Sequence, residues 1–249
     1  MKNTSNESPC KSIGKVYQYR IPSRGEALLQ TVVRFVYPIY CPVCGALKRM
    51  HQPPICAECL RSLPRFYDTI HNGRERLNGS KLLVQNFYSM FLFSKNVNTR
   101  RVIHQIKYHG RTDLALYLGR LLADHWSLQA KEIDFLVPVP LHPKRAMQRG
   151  YNQSEWIARG VSQQTGIPVV ADALKRVGKA SSQTTKSRSE RMVSIEKAFW
   201  GKAQCFPIGS HILLIDDIIT TGATLQAAID ALAQTGCATV SVLSLAVDV

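Results

Sequence analysis

Residues 211–224, HILLIDDIITTGAT, decide how the rest of the chain is read. Ile212, Leu213, Leu214 and Ile215 form an unbroken aliphatic run, the pattern of a parallel strand covered on both faces. Asp216 and Asp217 follow at the C-terminal end of that expected strand, where ligands sit in open α/β sheets. As neighbours at a strand end, the two acids are expected to be exposed and to repel one another. Thr220, Thr221, Gly222, Ala223 and Thr224 then make a small, hydroxyl-rich turn leading into a helical pattern over 225–233. Small residues let backbone N–H groups converge on an anion, and the start of a helix adds its positive dipole end. Acids for ribose hydroxyls beside a turn for a 5′-phosphate suit a sugar phosphate. The plainer alternative is a buried strand that ends in Asp-Asp before a capped helix.

Strand patterns recur on both sides of this stretch. Residues 82–93 are aromatic and β-prone and read as a hairpin or strand pair; 133–139, 167–174, 198–200 and 239–247 read as single strands. Helical patterns fall at 99–107, capped by Asn98, at 113–128 and at 153–165. Strands alternating with helices predict a parallel α/β sheet. Upstream, Leu28, Leu29, Val32, Val33 and Val36 stand at helical spacing and stop before Pro38. The expected division is therefore a disordered extension over 1–25, a helix with a cysteine module over 26–67, and an α/β domain over 80–249.

The 249 residues are 45% hydrophobic, enough for one large domain and a small one. No apolar stretch approaches the ~18 residues that span a bilayer, and the polar start MKNTSNESPCKS lacks the apolar middle of a secretory signal. A cytoplasmic location without membrane insertion is expected. Thirty-two Lys and Arg against 17 acids leave a net +15, which favours polyanions without choosing among them.

Four of the seven cysteines form C-x2-C-x11-C-x2-C: Cys41, Cys44, Cys56 and Cys59. Four thiolates so spaced supply the tetrahedral soft shell that Zn2+ prefers, and Gly45 lets the first turn close. Such a site is closed, so it stabilises or recognises and does not catalyse. Iron–sulfur ligation uses the same thiolates, and a redox pair needs only one C-x-x-C. His51 is a further potential ligand that the four cysteines make unnecessary. Cys205 and Cys237 read as packing residues.

Residues 137–153, VPVPLHPKRAMQRGYNQ, are rich in proline and in cations. Lys144, Arg145 and Arg149 can neutralise an anion held by loop N–H groups, although alone this reads as a solvated basic loop. Lys107 and Arg111 lie at a helix-to-loop transition, either near the ligand or on a plain surface. Residues 181–191 read as a polar loop, either able to close over a substrate or a solvated connector between strands.

The stretch from Ile212 to Thr224 resembles the phosphoribosyl pyrophosphate signature of type I phosphoribosyltransferases. With the cysteine pairs, the chain from about Leu28 onward resembles the ComF family, which joins such a domain to an N-terminal zinc ribbon. The resemblance implies the phosphoribosyltransferase fold. It further implies Mg2+-bound phosphoribosyl pyrophosphate or a related sugar phosphate, with its 5′-phosphate on 220–224 and its ribose hydroxyls on Asp216 and Asp217. Lys144, Arg145 and Arg149 fall in the segment corresponding to the pyrophosphate loop. A role in natural competence is implied too, with single-stranded DNA and a DNA-translocating helicase as partners; Tyr151 and Trp156 are candidate exposed aromatics for that surface. The other reading is an active phosphoribosyltransferase of nucleotide or amine metabolism with no role in DNA uptake.

Overall fold

The computed structural model describes residues 16–17, 38–49, 52–66, 75–77, 79–93, 97–126, 132–177 and 198–248. In chain order the elements are β1 (Val16–Tyr17), β2 (Ile39–Tyr40), β3 (Leu47–Lys48), α1 (Ala57–Arg61), β4 (Leu83–Leu92), α2 (Val97–Tyr108), α3 (Thr112–Trp126), β5 (Phe135–Pro138), α4 (Pro143–Arg149) and α5 (Gln153–Thr165). They continue with β6 (Val169–Val170), β7 (Leu174–Arg176), β8 (Phe199–Gly201), β9 (Ser210–Ile219), α6 (Ala223–Leu232) and β10 (Cys237–Val247).

The main sheet has the order β1-β6-β5-β9-β10-β4. From β6 to β4 every pairing is parallel, and only β1 runs antiparallel, at the edge. The aliphatic run of β9 divides between the two faces with the period of a strand. Leu213 and Ile215 join Leu114, Leu118, Ile157 and Val161 of α3 and α5 on one side. Ile212 and Leu214 join Leu225, Ala228, Ile229 and Leu232 of α6 on the other. The chain leaves β5 through α5 to reach β6, and leaves β9 through α6, on the opposite face, to reach β10. The strand order therefore reverses between β5 and β9, which is where ligands bind in open α/β sheets. The acid pair and the basic segment stand at that crevice.

The structure corrects four expectations. Residues 82–93 form one long strand, not a hairpin, because β4 finds its partner in β10. Residues 167–174 split: β6 belongs to the main sheet, while β7 starts at Leu174 and pairs with β8 in a separate two-stranded sheet. The basic segment after β5 is not all loop. Pro143 begins the short helix α4, and His142 Nδ1 caps it by accepting from Lys144 N at 3.3 Å. Finally, β9 does not stop at Ile215 but continues through both acids to Ile219. Of residues 1–25 only the edge strand β1 is described; the helix expected at 26–37 and the loop at 181–191 lie outside the described residues.

Helices α3 and α5 approach closely at two glycines. A Cβ on Gly119 would stand 2.3 Å from the Ile157 carbonyl oxygen, and one on Gly160 2.2 Å from that of Leu116. Helix propensity alone predicts that Ala here gains up to ~1 kcal/mol. The clash reverses the sign: Gly119→Ala and Gly160→Ala are each expected to lose about 1–3 kcal/mol through forced separation of the helices. A urea midpoint that stays or rises would contradict this packing.

Candidate functional site

Because β9 carries its ladder past Ile215, Asp216 and Asp217 are held by the sheet and are not left exposed as expected. Asp217 is buried, and its Oδ1 lies 3.1 Å from Lys107 Nζ of α2. Its Oδ2 is buried and makes no hydrogen bond among the described residues. Asp216 is half-buried; its Oδ1 accepts from Ser154 Oγ at 3.0 Å and from Asp217 N at 2.8 Å. Burial, then the charge of Asp217, pushes Asp216 up to about 7, against the pull of the Asp217 N–H, Lys107 and Ser154.

The turn that follows leaves Thr220 and Thr221 exposed, while Gly222 is buried with φ 81°. Gly222, the residue before α6, supplies no side-chain cap to the first turn of that helix. Arg76, which sequence reading did not single out, braces this turn. Its guanidinium donates to the Thr220 carbonyl at 2.5 Å and to the Asp248 carbonyl at 2.7 Å. A Cβ on Gly222 would press at 3.1 Å on both Cβ and O of Arg76. Ala223 N lies 3.5 Å from Thr221 Oγ1, and Thr224 is half-buried.

Across the crevice, Lys144 and Arg145 of α4 are exposed. Arg149 donates to Gln153 Oε1 at 2.9 Å and lies 4.9 Å over the ring of Tyr108. The Tyr151 hydroxyl donates to the Ile106 carbonyl, and Asn152 Nδ2 donates to the Val139 carbonyl at 3.1 Å. These bonds tie α4 to the end of β5 and to α2. Tyr151 is thus half-buried, not the exposed ring expected. Trp156 is also half-buried, under the Arg159 guanidinium at 4.6 Å. Arg176 of β7 is a cation the sequence did not flag. Burial, then Arg145, lowers its pKa while Asp216 opposes, which places it in the field of both.

Lys107 therefore reaches the acid pair, and Arg111 does not. Arg111 pairs with Asp113 at 2.9 Å and donates to the carbonyls of Tyr40 at 2.8 Å and Pro54 at 3.4 Å, clasping the cysteine module. In that module Gly45, at φ 73°, donates to the Cys41 carbonyl at 3.0 Å, and Cys56 starts α1. All four sulfurs lie within 4.8 Å of one another, and Cys44 Sγ is 3.8 Å from Cys56 Sγ. Four metal–sulfur bonds of ~2.3 Å in a tetrahedron separate sulfurs by ~3.8 Å, so the set fits an ion such as Zn2+. Burial would raise Cys41, but backbone N–H groups of Cys44, Cys56 and Val43 outweigh it and bring the thiol down to about 6. Burial and then its sulfur neighbours push Cys59 up to about 12, so four thiolates here require a cation. Lys48 Nζ supports Cys56 Sγ at 3.5 Å. Cys41, Ile55 and Leu63 share one apolar core with Phe91, Ile103 and Ile106, so the module is packed on the α/β domain. Cys205 and Cys237 are buried, and His51 lies outside the described residues.

Two outcomes are expected from this geometry. Elemental analysis should give one zinc per chain, and Cys44→Ser should release it; zinc-free protein with four reactive thiols would contradict the centre. The acids should differ in sign. A carboxyl raised to about 7 makes the folded state hold a proton that the unfolded chain loses near 4, so stability falls between those pH values. Asp216→Asn removes the slope and should be more stable than wild type at pH 8 by roughly 1–3 kcal/mol, the two converging near pH 4. Asp217→Asn breaks the Lys107 pair and should be less stable at neutral pH. Equal shifts for both variants in thermal unfolding would refute this arrangement.

Residues 152–247, from the cap of α5 to the end of β10, match the family described as phosphoribosyl transferase domain. DNA utilization protein YhgH of Salmonella typhimurium is 26% identical over 207 residues, covering 81% of each chain. Competence protein ComFC of Bacillus subtilis is 27% identical over 197 residues, 79% of this chain and 72% of its own. Competence protein F of Haemophilus influenzae is 28% identical over 210 residues, 83% of this chain and 84% of its own. These likenesses extend far upstream of residue 152, toward the cysteine module. The chain thus carries a phosphoribosyl transferase domain over residues 152–247 and is similar, over about four fifths of its length, to proteins named for competence and DNA utilization.

Proposed function

We propose that this protein binds Mg2+-phosphoribosyl pyrophosphate in the crevice between β5 and β9 and serves the handling of incoming single-stranded DNA in the cytoplasm. The observation that carries the ligand reading is the buried Oδ2 of Asp217, without a hydrogen-bond partner among the described residues, near a helix start that Gly222 does not cap with a side chain. An orphaned buried acceptor is costly, and a ribose hydroxyl donating to it removes the cost. In this reading Asp216 and Asp217 accept the 2′- and 3′-hydroxyls, and N–H groups of the turn containing Thr220, Thr221, Gly222, Ala223 and Thr224 hold the 5′-phosphate. Lys144, Arg145 and Arg149 face the pyrophosphate. Lys107, 3.1 Å from Asp217 Oδ1, orients that carboxylate, so the acid pair can offset positive charge growing on the ribose as the C1–O bond breaks. Mg2+, when bound with the ligand, supplies charge neutralisation to the pyrophosphate. The cysteine centre holds structural Zn2+.

The DNA reading rests on the relatives named for competence and DNA utilization, together with the net charge of +15. A DNA-translocating helicase is the fitting protein partner. No helix among the described residues is long and apolar enough to cross a membrane.

Titrating the two ligands separately tests both halves. Asp216→Asn, which relieves a buried charge and keeps the fold, should weaken Mg2+-phosphoribosyl pyrophosphate by at least about tenfold, the loss of one charge-assisted hydrogen bond. Equal calorimetric affinity would remove the acid pair from the ligand site. Single-stranded DNA should bind with a log–log salt slope of about −0.7 per phosphate contact, and replacing Lys144, Arg145 and Arg149 by Ala should flatten the slope by about two units. An unchanged slope would take α4 off the DNA surface.

A further inference from the structure

The solvent face of α2 carries a run of rings that the crevice does not use. His104 and Tyr108 stand one turn apart with ring centroids 4.8 Å apart, inclined at 45°. His109 lies 5.2 Å from His104 at 48°. Arg149 stands 4.9 Å from the Tyr108 centroid, against that ring. Tyr108 is 63% exposed, and both histidines are exposed, while Val102, Ile103 and Ile106 on the other face are buried. No pair of these rings is stacked flush, and with Arg149 over one face Tyr108 still keeps most of its surface open.

The flanking segments are rich in cations, of which Lys107 and Arg111 are paired with Asp217 and Asp113. Residues 97–112 hold four Lys/Arg, two His and no acid; residues 139–154 hold three Lys/Arg and no acid. The stripe begins at Arg101, which reaches the Val43 carbonyl of the cysteine module at 3.4 Å, and ends at the exposed Lys144 and Arg145 of α4. It thus runs from the metal module to the ligand crevice. Core packing gives no reason for an exposed tyrosine between histidines and an arginine. Aromatic faces set in a basic track are what an unpaired strand needs: cations for its phosphates, rings for its bases. A duplex has its bases already stacked and offers these rings nothing.

We propose that Tyr108, His104 and His109, with Arg149, Lys144 and Arg145 alongside, form a base-stacking platform for single-stranded DNA. The proposal rests on the DNA reading above and adds the surface and its mode of contact. Fluorescence anisotropy of the full chain with oligothymidylate, an abasic oligomer of the same length and a duplex tests it. Tyr108→Ala should weaken oligothymidylate by roughly five- to a hundredfold, the loss of stacking on one base, with the salt slope unchanged because no charge is removed. Tyr108→Phe should bind like wild type, and abasic and duplex binding should be indifferent to either change. Circular dichroism and zinc content confirm folding; should Tyr108→Ala unfold, His104→Ala/His109→Ala carries the same expectation. Tyr108→Ala binding oligothymidylate as wild type does, or losing as much affinity for the abasic strand, overturns the platform and leaves DNA binding standing. Wild type that binds no single strand at low salt overturns both.

Discussion

A carboxylate buried inside a sheet needs a cation, and at the end of β9 Asp217 has Lys107, 3.1 Å away on another element. Much of the molecule can be understood as what it takes to put that lysine there. Helix α2 must end beside the crevice, with Val102, Ile103 and Ile106 sunk in the core and Lys107 turned to the acid. The Tyr151 hydroxyl on the Ile106 carbonyl then brings the segment after α4 to the same helix end. Arg149 follows, against Tyr108, so the acids and the basic helix are positioned by one short stretch of chain.

The same stretch holds the cysteine module. Four residues after Lys107, Arg111 is fixed by Asp113 and clasps two backbone carbonyls of the module, from Tyr40 and Pro54. Cys41 and Ile55 pack into the core that also contains Ile106. The cysteine module and the crevice are therefore not separate appendages. Any loosening of the module's hairpin would loosen the carbonyls that Arg111 holds, four residues along the chain from the lysine that holds Asp217.

How much of this was legible depends on where each partner sits in the chain. The β9 run was readable because a strand buried on both faces is continuously aliphatic. Helix 153–165 was readable to the residue, since Asn152 caps its start and Gly166, left-handed at φ 76°, stops it. The cysteine spacing was readable because the ligands come in local pairs. Strand β4 was misread because its pairing with β10 lies far away in sequence and no local signal announces it. Helix α4 was hidden because prolines suggest a loop, although Pro143 stands where a helix accepts one. Lys107 at Asp217, Arg76 under the turn after β9 and Arg176 in the field of Asp216 are long-range interactions of charged side chains. Their residue types alone read as solvated surface, and only the fold brings them to the crevice.

The central claim is that the acids of β9 and the turn after it receive one sugar phosphate together. A crystal structure with Mg2+ and phosphoribosyl pyrophosphate tests it most directly. The account predicts the 5′-phosphate on backbone N–H groups of 220–224 and the ribose hydroxyls on Asp216 and Asp217, including the Oδ2 that has no hydrogen-bond partner among the described residues. Phosphoribosyl pyrophosphate bound elsewhere, with Asp217 Oδ2 still buried and unpartnered, would contradict it.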